Sequence, residues 1–144
     1  MGALTSDRLV AQVKQNIKEL DVHQLKRRME EGDTVVVDIR EFDEYAQGAI
    51  AGAHHIPRGF LELRIENIAP RRDMPIALYC AGGVRSALGA RSLGEMGYTN
   101  VVSVAGGFDG WKNAGYPFVV PRIMTDGVTR VESEYLEVVA IRAS

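Results

Sequence analysis

The sequence has one cysteine among its 144 residues, Cys80, so no disulfide can form within the chain. A lone free thiol persists best in a reducing compartment, and we therefore expect an intracellular, cytoplasmic protein. The sequence also lacks any run of about 18 apolar residues, and no apolar signal-peptide stretch follows Met1. These absences exclude a disulfide-rich secreted scaffold and predict that the protein has no membrane partner.

An excess of charge of one sign is also missing. The chain has 17 Lys and Arg residues against 19 Asp and Glu residues, which gives a formal net charge of −2. Nucleic-acid-binding proteins usually carry a strong basic excess, so we expect no nucleic-acid partner. No repeat or low-complexity tract is present, and the length suits one domain with a single core.

Short apolar runs alternate with segments of helical spacing along most of the chain. The β-branched run 34–37 predicts a strand covered on both faces, and runs 76–79 and 101–104 predict two more central strands. A shorter strand is expected over 53–56. This alternation indicates an α/β fold with a mostly parallel sheet flanked by helices, in which ligands bind at the carboxyl ends of the strands.

The helices are predicted from apolar spacing and from capping residues. Leu9, Val13 and Ile17 have helical spacing, whereas residues 17–20 either continue that helix or form an edge strand. Asp21 is a typical N-cap, and Gly32 is a typical helix stop. Further helices are predicted over 41–47, 59–68 and 86–96.

Cys80 stands where the apolar strand 76–79 gives way to a glycine-containing loop and then to a helix. Backbone N–H groups converge in such a loop, and the helix dipole adds positive potential. This field favours a reactive thiolate, and Arg85 adds a fixed cation. An inert buried cysteine is the alternative, but an ordinary turn needs neither the second glycine nor the arginine. The predicted anion cradle consists of Ala81, Gly82, Gly83, Val84, Arg85 and Ser86.

Two further motifs flank this loop in the sequence. The first is VDIRE at 37–41 with EY at 44–45 and GAIAGAHHIP at 48–57, and the second is GGFDGW at 106–111 with AGYP at 114–117. Together with the Cys80 loop, they resemble the signatures of rhodanese-like domains. The resemblance implies a small α/β domain with a central five-stranded sheet and a cysteine that forms a persulfide. The usual first signature has His and Pro where this chain has Ala49 and Ala51.

The resemblance also divides the chain into three parts. Residues 1–15 are an N-terminal helical extension, residues 16–118 form the rhodanese-like domain, and residues 119–144 are a C-terminal extension. In that extension Val128, Val131, Tyr135 and Val139 have helical spacing, so we expect a helix there. Its apolar stripe packs on the domain in one interpretation and forms a homodimer contact in the other.

The function implied by the resemblance is sulfur transfer without a cofactor. Cys80 would take sulfane sulfur from thiosulfate or a related small anionic donor and pass it to a thiol, a protein sulfur acceptor or cyanide. Arg85 either holds the donor's sulfonate oxygens or closes the loop by bonding to carbonyls. Ser86 either caps the helix, which we favour, or donates to the persulfide. Arg58 is a candidate for a second substrate cation.

Other polar residues near the motifs have structural interpretations. Asp38 and Arg40 follow a central strand. The resemblance favours a structural role for this pair, in which it holds loops in place, rather than a role in orienting catalysis. His54 and His55 are adjacent on a predicted strand and therefore point to opposite faces. With no nearby Cys or carboxylate to complete a ligand set, we expect no metal site.

Two other functions compete with sulfur transfer. Cysteine phosphatases and arsenate reductases of the same general fold place one more residue between their cysteine and arginine, which widens the ring of amides. Here only residues 81–84 intervene, and the narrower loop favours sulfur transfer. A non-catalytic rhodanese-like binding module is the second alternative, but such modules often lack the cysteine.

Overall fold

A five-stranded parallel sheet forms the centre of the molecule. The computed structural model describes residues 2–125 and 129–139, and it describes side chains for residues 2–122. The strand order in the sheet is β1-β5-β4-β2-β3. The strands are β1 (Lys18–Leu20), β2 (Val35–Asp38), β3 (His54–His55), β4 (Ile76–Tyr79) and β5 (Val101–Val104).

Helices cover both faces of this sheet. Asp21 caps α2 as predicted, because its carboxylate accepts a hydrogen bond from the amide of Gln24 and the Gln24 side chain accepts one in return. Residues 17–20, for which the sequence left two alternatives, contribute the edge strand β1. The helices are α1 (Ser6–Gln15), α2 (Val22–Glu31), α3 (Phe42–Gln47), α4 (Leu61–Ile68), α5 (Val84–Glu95) and α6 (Gly107–Asn113), with a 3-10 turn over Arg58–Phe60.

The core has two layers, one on each face of the sheet. Alternate residues of the strands pack against α2 and α6 on one face and against α4 and α5 on the other. All four residues of β4 are buried, as the uninterrupted apolar run predicts. Because β4 pairs with β5 on one side and β2 on the other, Cys80 emerges at the middle of the sheet's carboxyl edge.

The loop between α3 and β3 departs from the usual rhodanese-like signature and is held by backbone bonds. The amide of Ala49 donates to the carbonyl of Val119 at 2.8 Å, and the amide of Val119 donates back at 2.9 Å. The amide of Ile50 donates to the hydroxyl of Tyr79 at 3.1 Å. These bonds fix the loop even though Ala51 stands where the signature has proline.

The C-terminal extension is not the helix that the sequence predicts. Instead, β6 (Phe118–Thr125) and β7 (Thr129–Val139) form an antiparallel pair. The even spacing of Val131, Tyr135 and Val139 suits one side of a strand as well as one side of a helix, and β-branched residues are frequent in this segment. The spacing of these residues alone therefore could not decide between a strand and a helix.

A turn signal in the same segment was overlooked. The Asp-Gly pair at 126–127 stands between the two apolar runs and is a frequent hairpin pair in protein sequences. Residues 126–128, which include this pair and Val128 of the predicted stripe, lie outside the described residues, as do residues 140–144. No helix in the described part of the chain combines the length and the apolar character needed to cross a membrane.

Candidate active site

The sulfur of Cys80 lies at the floor of the loop that joins β4 to α5. The backbone N–H groups of Gly83 and Ser86 donate hydrogen bonds to Sγ, at 3.2 and 3.4 Å. The cysteine is 1% exposed, whereas Gly82 and Val84 lie exposed on the rim of the loop. The arrangement places two amide dipoles and the start of a helix against one sulfur atom, as the sequence predicts.

Of the two loop glycines, the structure requires only Gly83. Its φ of 107° is in the left-handed region, and an added Cβ would lie 3.4 Å from the amide nitrogen of Gly106 and from the carbonyl oxygen of Val104. A Cβ on Gly82 would have no atom within 4 Å. The tight curl that the sequence assigns to both glycines therefore depends on the second.

The first turn of α6 holds the Cys80 loop from the other side. The amide of Phe108 donates to the carbonyl of Cys80 at 2.8 Å, and the amide of Asp109 donates to the carbonyl of Ala81 at 3.0 Å. A Cβ on Gly107 would lie 2.4 Å from the Cys80 carbonyl oxygen, so only glycine fits. The carbonyls of the Cys80 loop thus point to α6, and its amides point to the sulfur. The glycine pair at 106–107 belongs to the second motif, but the sequence did not predict its contact with the Cys80 loop.

Ser86 does not cap α5, contrary to the interpretation that the sequence favours. Gly83 occupies the N-cap position, and Ser86 lies in the first turn of the helix. Its hydroxyl is 3.5 Å from the Cys80 sulfur and 2.8 Å from the hydroxyl of Ser103 on β5. Both serines are fully buried, so this pair of hydroxyls adds a polar contact to the sulfur's surroundings.

Arg85 is held by a carboxylate that lies 41 residues away in the sequence. Its two terminal nitrogens donate to the carboxylate oxygens of Glu44 at 2.7 and 3.0 Å. Hydrogen bonding to Arg85 lowers the pKa of Glu44 to about 2. The same bonds raise the pKa of Arg85, and attraction to Cys80 contributes to that rise. These two nitrogens thus donate to Glu44 rather than to loop carbonyls, and binding of the donor by Arg85 stays a prediction.

Asp38 and Arg40 form a buried ion pair near the end of β2. Arg40 Nη2 lies 2.7 Å from the Asp38 carboxylate and donates to the carbonyl of Gly48 at 2.6 Å. The guanidinium carbon is 4.2 Å from the centroid of the Phe108 ring. Burial raises the pKa of the neighbouring Tyr79 well above its ordinary value. Each of these contacts joins backbone segments or core side chains, which is the geometry of a structural pair.

Arg58, the candidate second cation, is paired away from the cradle. One of its terminal nitrogens donates to both carboxylate oxygens of Glu62 at 2.9 Å, and the other donates to Ser92 at 3.3 Å. Ser92 lies six residues beyond Ser86 along α5. The hydrogen bonds described for Arg58 therefore connect the 3-10 turn to α4 and α5.

His54 and His55 lie in different surroundings. His55 stacks on Tyr45 with ring centroids 4.1 Å apart, and its Nε2 donates to the carbonyl of Arg40 at 2.8 Å. His54 is exposed. Within the described residues, no group of three or more His, Cys, Asp or Glu side chains is close enough to hold a metal ion.

Relatives of known name match most of this chain. It is 34% identical over 106 residues to a sulfurtransferase from Allochromatium vinosum, a match that covers 73% of this chain and 97% of the relative. It is 38% identical over 102 residues to the thiosulfate sulfurtransferase GlpE from Haemophilus influenzae, which covers 71% of this chain and 94% of that protein.

Solved structures with the same fold carry two kinds of description. A thiosulfate sulfurtransferase from Pseudomonas aeruginosa has a TM-score of 0.71 and 28% identity, covering 78% of this chain and 22% of that one. A protein of unknown function from Rhodopseudomonas palustris, described as a possible tyrosine phosphatase, has a TM-score of 0.72 and 30% identity, covering 81% of this chain and 95% of that one.

The family itself is established by a match to the sequence pattern described as the Rhodanese-like domain, which covers residues 21–114. The matched region contains the Cys80 loop, all of the first motif, and the GGFDGW part of the second motif, most of which lies in α6. The five-stranded parallel sheet that the resemblance implies is confirmed. This chain therefore belongs to the rhodanese-like domain family.

Proposed function

We propose that this protein is a rhodanese-type sulfurtransferase in which Cys80 carries the transferred sulfur as a persulfide. The supporting observation is the pair of amide N–H groups, from Gly83 and Ser86, that donate to Sγ. Such donors stabilise the Cys80 thiolate, which attacks in the first step and leaves again in the second. Relatives named thiosulfate sulfurtransferase lend further support to an enzyme of this type.

The first step is an attack by the Cys80 thiolate on the outer sulfur of thiosulfate. A new S–S bond forms to Cys80, the S–S bond of the donor breaks, and sulfite leaves with the bonding electron pair. In the second step an acceptor thiolate or cyanide attacks the outer sulfur of the persulfide, and the Cys80 thiolate is the leaving group. No proton, electron or cofactor beyond these reactants is required.

Access to the sulfur favours small or extended reactants. Cys80 is almost fully buried, and the exposed rim of the loop is formed by Gly82 and Val84. A donor must therefore approach end-on with its outer sulfur leading. Arg85 lies within electrostatic reach of Cys80, where its guanidinium would bind the donor's sulfonate oxygens.

The test is the mass of the intact protein after incubation with thiosulfate. We expect the mass of one added sulfur atom, its removal by cyanide as thiocyanate, and neither event in Cys80→Ser, because a serine hydroxyl is a far weaker nucleophile at neutral pH. Circular dichroism on the variant checks that the fold persists. Sulfur transfer by Cys80→Ser at the wild-type rate would refute the proposal.

A cysteine phosphatase is the second candidate, because the Rhodopseudomonas palustris neighbour is described as a possible tyrosine phosphatase. The loop presents few well-spaced amides to a phosphoryl group, since only residues 81–84 separate Cys80 from Arg85. An aryl phosphate assayed beside thiosulfate separates the two functions. Faster hydrolysis of the phosphate than transfer of sulfur would replace our proposal with this one.

The partners of the reaction are also proposals. The acceptor is a thiol, a protein sulfur acceptor or cyanide, and a free thiol of this kind suits the reducing conditions of the cytoplasm. A homodimer through the C-terminal extension would be formed by the β6–β7 pair rather than by a helix. A protein described as a polysulfide-sulfur transferase homodimer, from Wolinella succinogenes, shares the fold with a TM-score of 0.68.

A further inference from the structure

The cation nearest to the predicted donor site is already neutralised by a carboxylate. Arg85 and Glu44 meet through two hydrogen bonds, and their side chains are 34% and 32% exposed. The pKa of Glu44, lowered to about 2 by those bonds, keeps this carboxylate ionised wherever the protein is folded and active. With a thiolate on Cys80, the three groups together carry one net negative charge.

This charge balance bears directly on the donor. Thiosulfate is a dianion, so it approaches a site whose cation is shared with Glu44 and whose nucleophile is itself negative. A donor with one negative charge meets less repulsion at the same place. For either donor, the sulfonyl oxygens and the Glu44 carboxylate compete for the same terminal nitrogens of Arg85.

We propose that Glu44 is a specificity-determining residue, which competes with the donor for Arg85 and thereby disfavours doubly charged sulfur donors relative to singly charged ones. The inference rests on the proposed sulfurtransferase function. It assigns to Glu44 a role in donor choice in addition to its role in the capping box of α3.

The structure provides a place for the displaced carboxylate. Glu44 lines a cavity of about 200 Å³ together with Arg40, Phe108 and Lys112. Lys112 Nζ lies 5.2 Å from the centroid of the Phe108 ring, and the positive charge of Arg40 already contributes to the low pKa of Glu44. A donor can therefore take Arg85 while Glu44 keeps cations near it.

A purely structural role for Glu44 leads to the opposite result. If the carboxylate serves to hold Arg85 in position for the donor, its removal must weaken donor use. If it competes with the donor, its removal must strengthen donor use, and most of all for the dianion. The sign of the effect of one substitution separates the two roles.

The experiment compares thiosulfate with benzenethiosulfonate, which offers the same kind of outer sulfur but carries one negative charge and releases benzenesulfinate. The variant is Glu44→Gln, because glutamine keeps an oxygen for the capping bond from the amide of Glu41. The control is Glu66→Gln, which removes a carboxylate from the 2.9 Å pair with Arg72. Each kcat/KM is measured with cyanide saturating, and thermal unfolding checks each fold.

We expect Glu44→Gln to raise kcat/KM about fivefold for thiosulfate and about twofold for benzenethiosulfonate, the scale of effect for a partly exposed ion pair. Glu66→Gln should leave both values unchanged. A lower kcat/KM for thiosulfate in Glu44→Gln, or an equal change for both donors, would overturn the proposal.

Further outcomes separate a variant that does not fold, a failure of the proposed function and a failure of the role of Glu44. If Glu44→Gln does not fold, Glu44→Asp retains the charge but withdraws it by one methylene, and it should shift the donor ratio in the same direction by a smaller factor. If the wild type forms no persulfide with either donor, the proposed function fails. Persulfide formation with an unaltered donor ratio in the variants refutes only the role of Glu44.

Discussion

At the scale of single residues, the site depends on one position where no side chain fits. Gly107 has a φ of 54°, and its Cα lies against the backbone of the Cys80 loop, so the obstacle to a Cβ is the carbonyl groups of Cys80 and Ala81. Backbone atoms cannot rotate away as the end of a flexible side chain can. A methyl group at this position must therefore push α6 away from the Cys80 loop.

We expect Gly107→Ala to lower the free energy of unfolding by roughly 3 kcal/mol, the combined scale of overpacking and of left-handed backbone strain. Sulfur transfer should fall as well, because the displaced loop no longer aims its amides at the sulfur. Urea unfolding and the rate of persulfide formation measure the two effects. The control is Gly94→Ala, since a Cβ there has no atom within 4 Å and alanine favours the helix. Wild-type stability in Gly107→Ala would contradict the steric argument.

At the scale of elements, the ion pair between Glu44 and Arg85 connects α3 to α5. Each helix begins shortly after a strand of the sheet, α3 after β2 and α5 after β4, and the hydrogen bonds between them are 2.7 and 3.0 Å long. The pKa of Glu44 is lowered from its ordinary value of 4.5 to about 2. A carboxyl group with a lowered pKa stabilises the folded protein while it is ionised, so this contribution is lost when the pH falls.

The contribution of the pair should depend on pH in one direction. We expect Glu44→Gln to cost about 1 kcal/mol near pH 6, a value reduced from the full pKa shift because solvent screens a pair that is about one-third exposed. The stability difference between wild type and variant should begin to shrink below the unfolded pKa of 4.5 and vanish as the pH falls through about 2. Urea titrations from pH 7 to pH 3 measure it. A difference that grows on acidification would show that the pair does not stabilise the fold.

At the scale of the whole molecule, one buried ion pair connects segments that are distant in the sequence. Asp38 ends β2, Arg40 bonds to the carbonyl of Gly48 after α3, and the guanidinium lies over Phe108 of α6. Asp38 is fully buried and Arg40 is 4% exposed. A charge left without its partner at this depth destabilises the entire fold, because water cannot reach it.

We expect Asp38→Asn to lower the free energy of unfolding by about 3 kcal/mol, since it leaves Arg40 buried without a counter-charge. At temperatures where the variant is folded, kcat/KM should stay near the wild-type value, because the pair contacts backbone and core rather than the sulfur. Asp73→Asn is the matched control, as its pair with Arg71 is exposed and 3.9 Å long, and it should cost less than 0.5 kcal/mol. A large loss of kcat/KM in folded Asp38→Asn would instead favour a role in orienting catalysis.

Local signals in the sequence predicted most of the fold and the centre of the site. An apolar run followed by a glycine loop and a helix places Cys80 at the end of a central strand, and all of this information lies within about ten neighbouring residues. The N-cap at Asp21 and the stop at Gly32 were visible for the same reason. These features depend on short-range geometry that spacing and residue type express directly.

Long-range pairs were not predictable in this way. Glu44 and Arg85 are 41 residues apart, and their contact exists only because the sheet brings α3 and α5 to one edge. The hydroxyl of Ser103, which lies on β5, contacts the hydroxyl of Ser86 for the same reason. In the C-terminal extension, spacing alone could not separate a strand from a helix, whereas the Asp-Gly pair in the sequence is a signal that favours two strands.

The sheet joins segments that are far apart in the sequence, and this separation has a consequence for folding. The first strand of the sheet, β1, pairs with the last, β5, and the carbonyls of the Cys80 loop are bound by amides that follow β5. Contacts between such distant segments form late, because a long loop must close before they do. We therefore expect the Cys80 loop to take its final form only after nearly the whole domain has assembled. Under the proposed function, we expect sulfur transfer to begin only when the domain has folded.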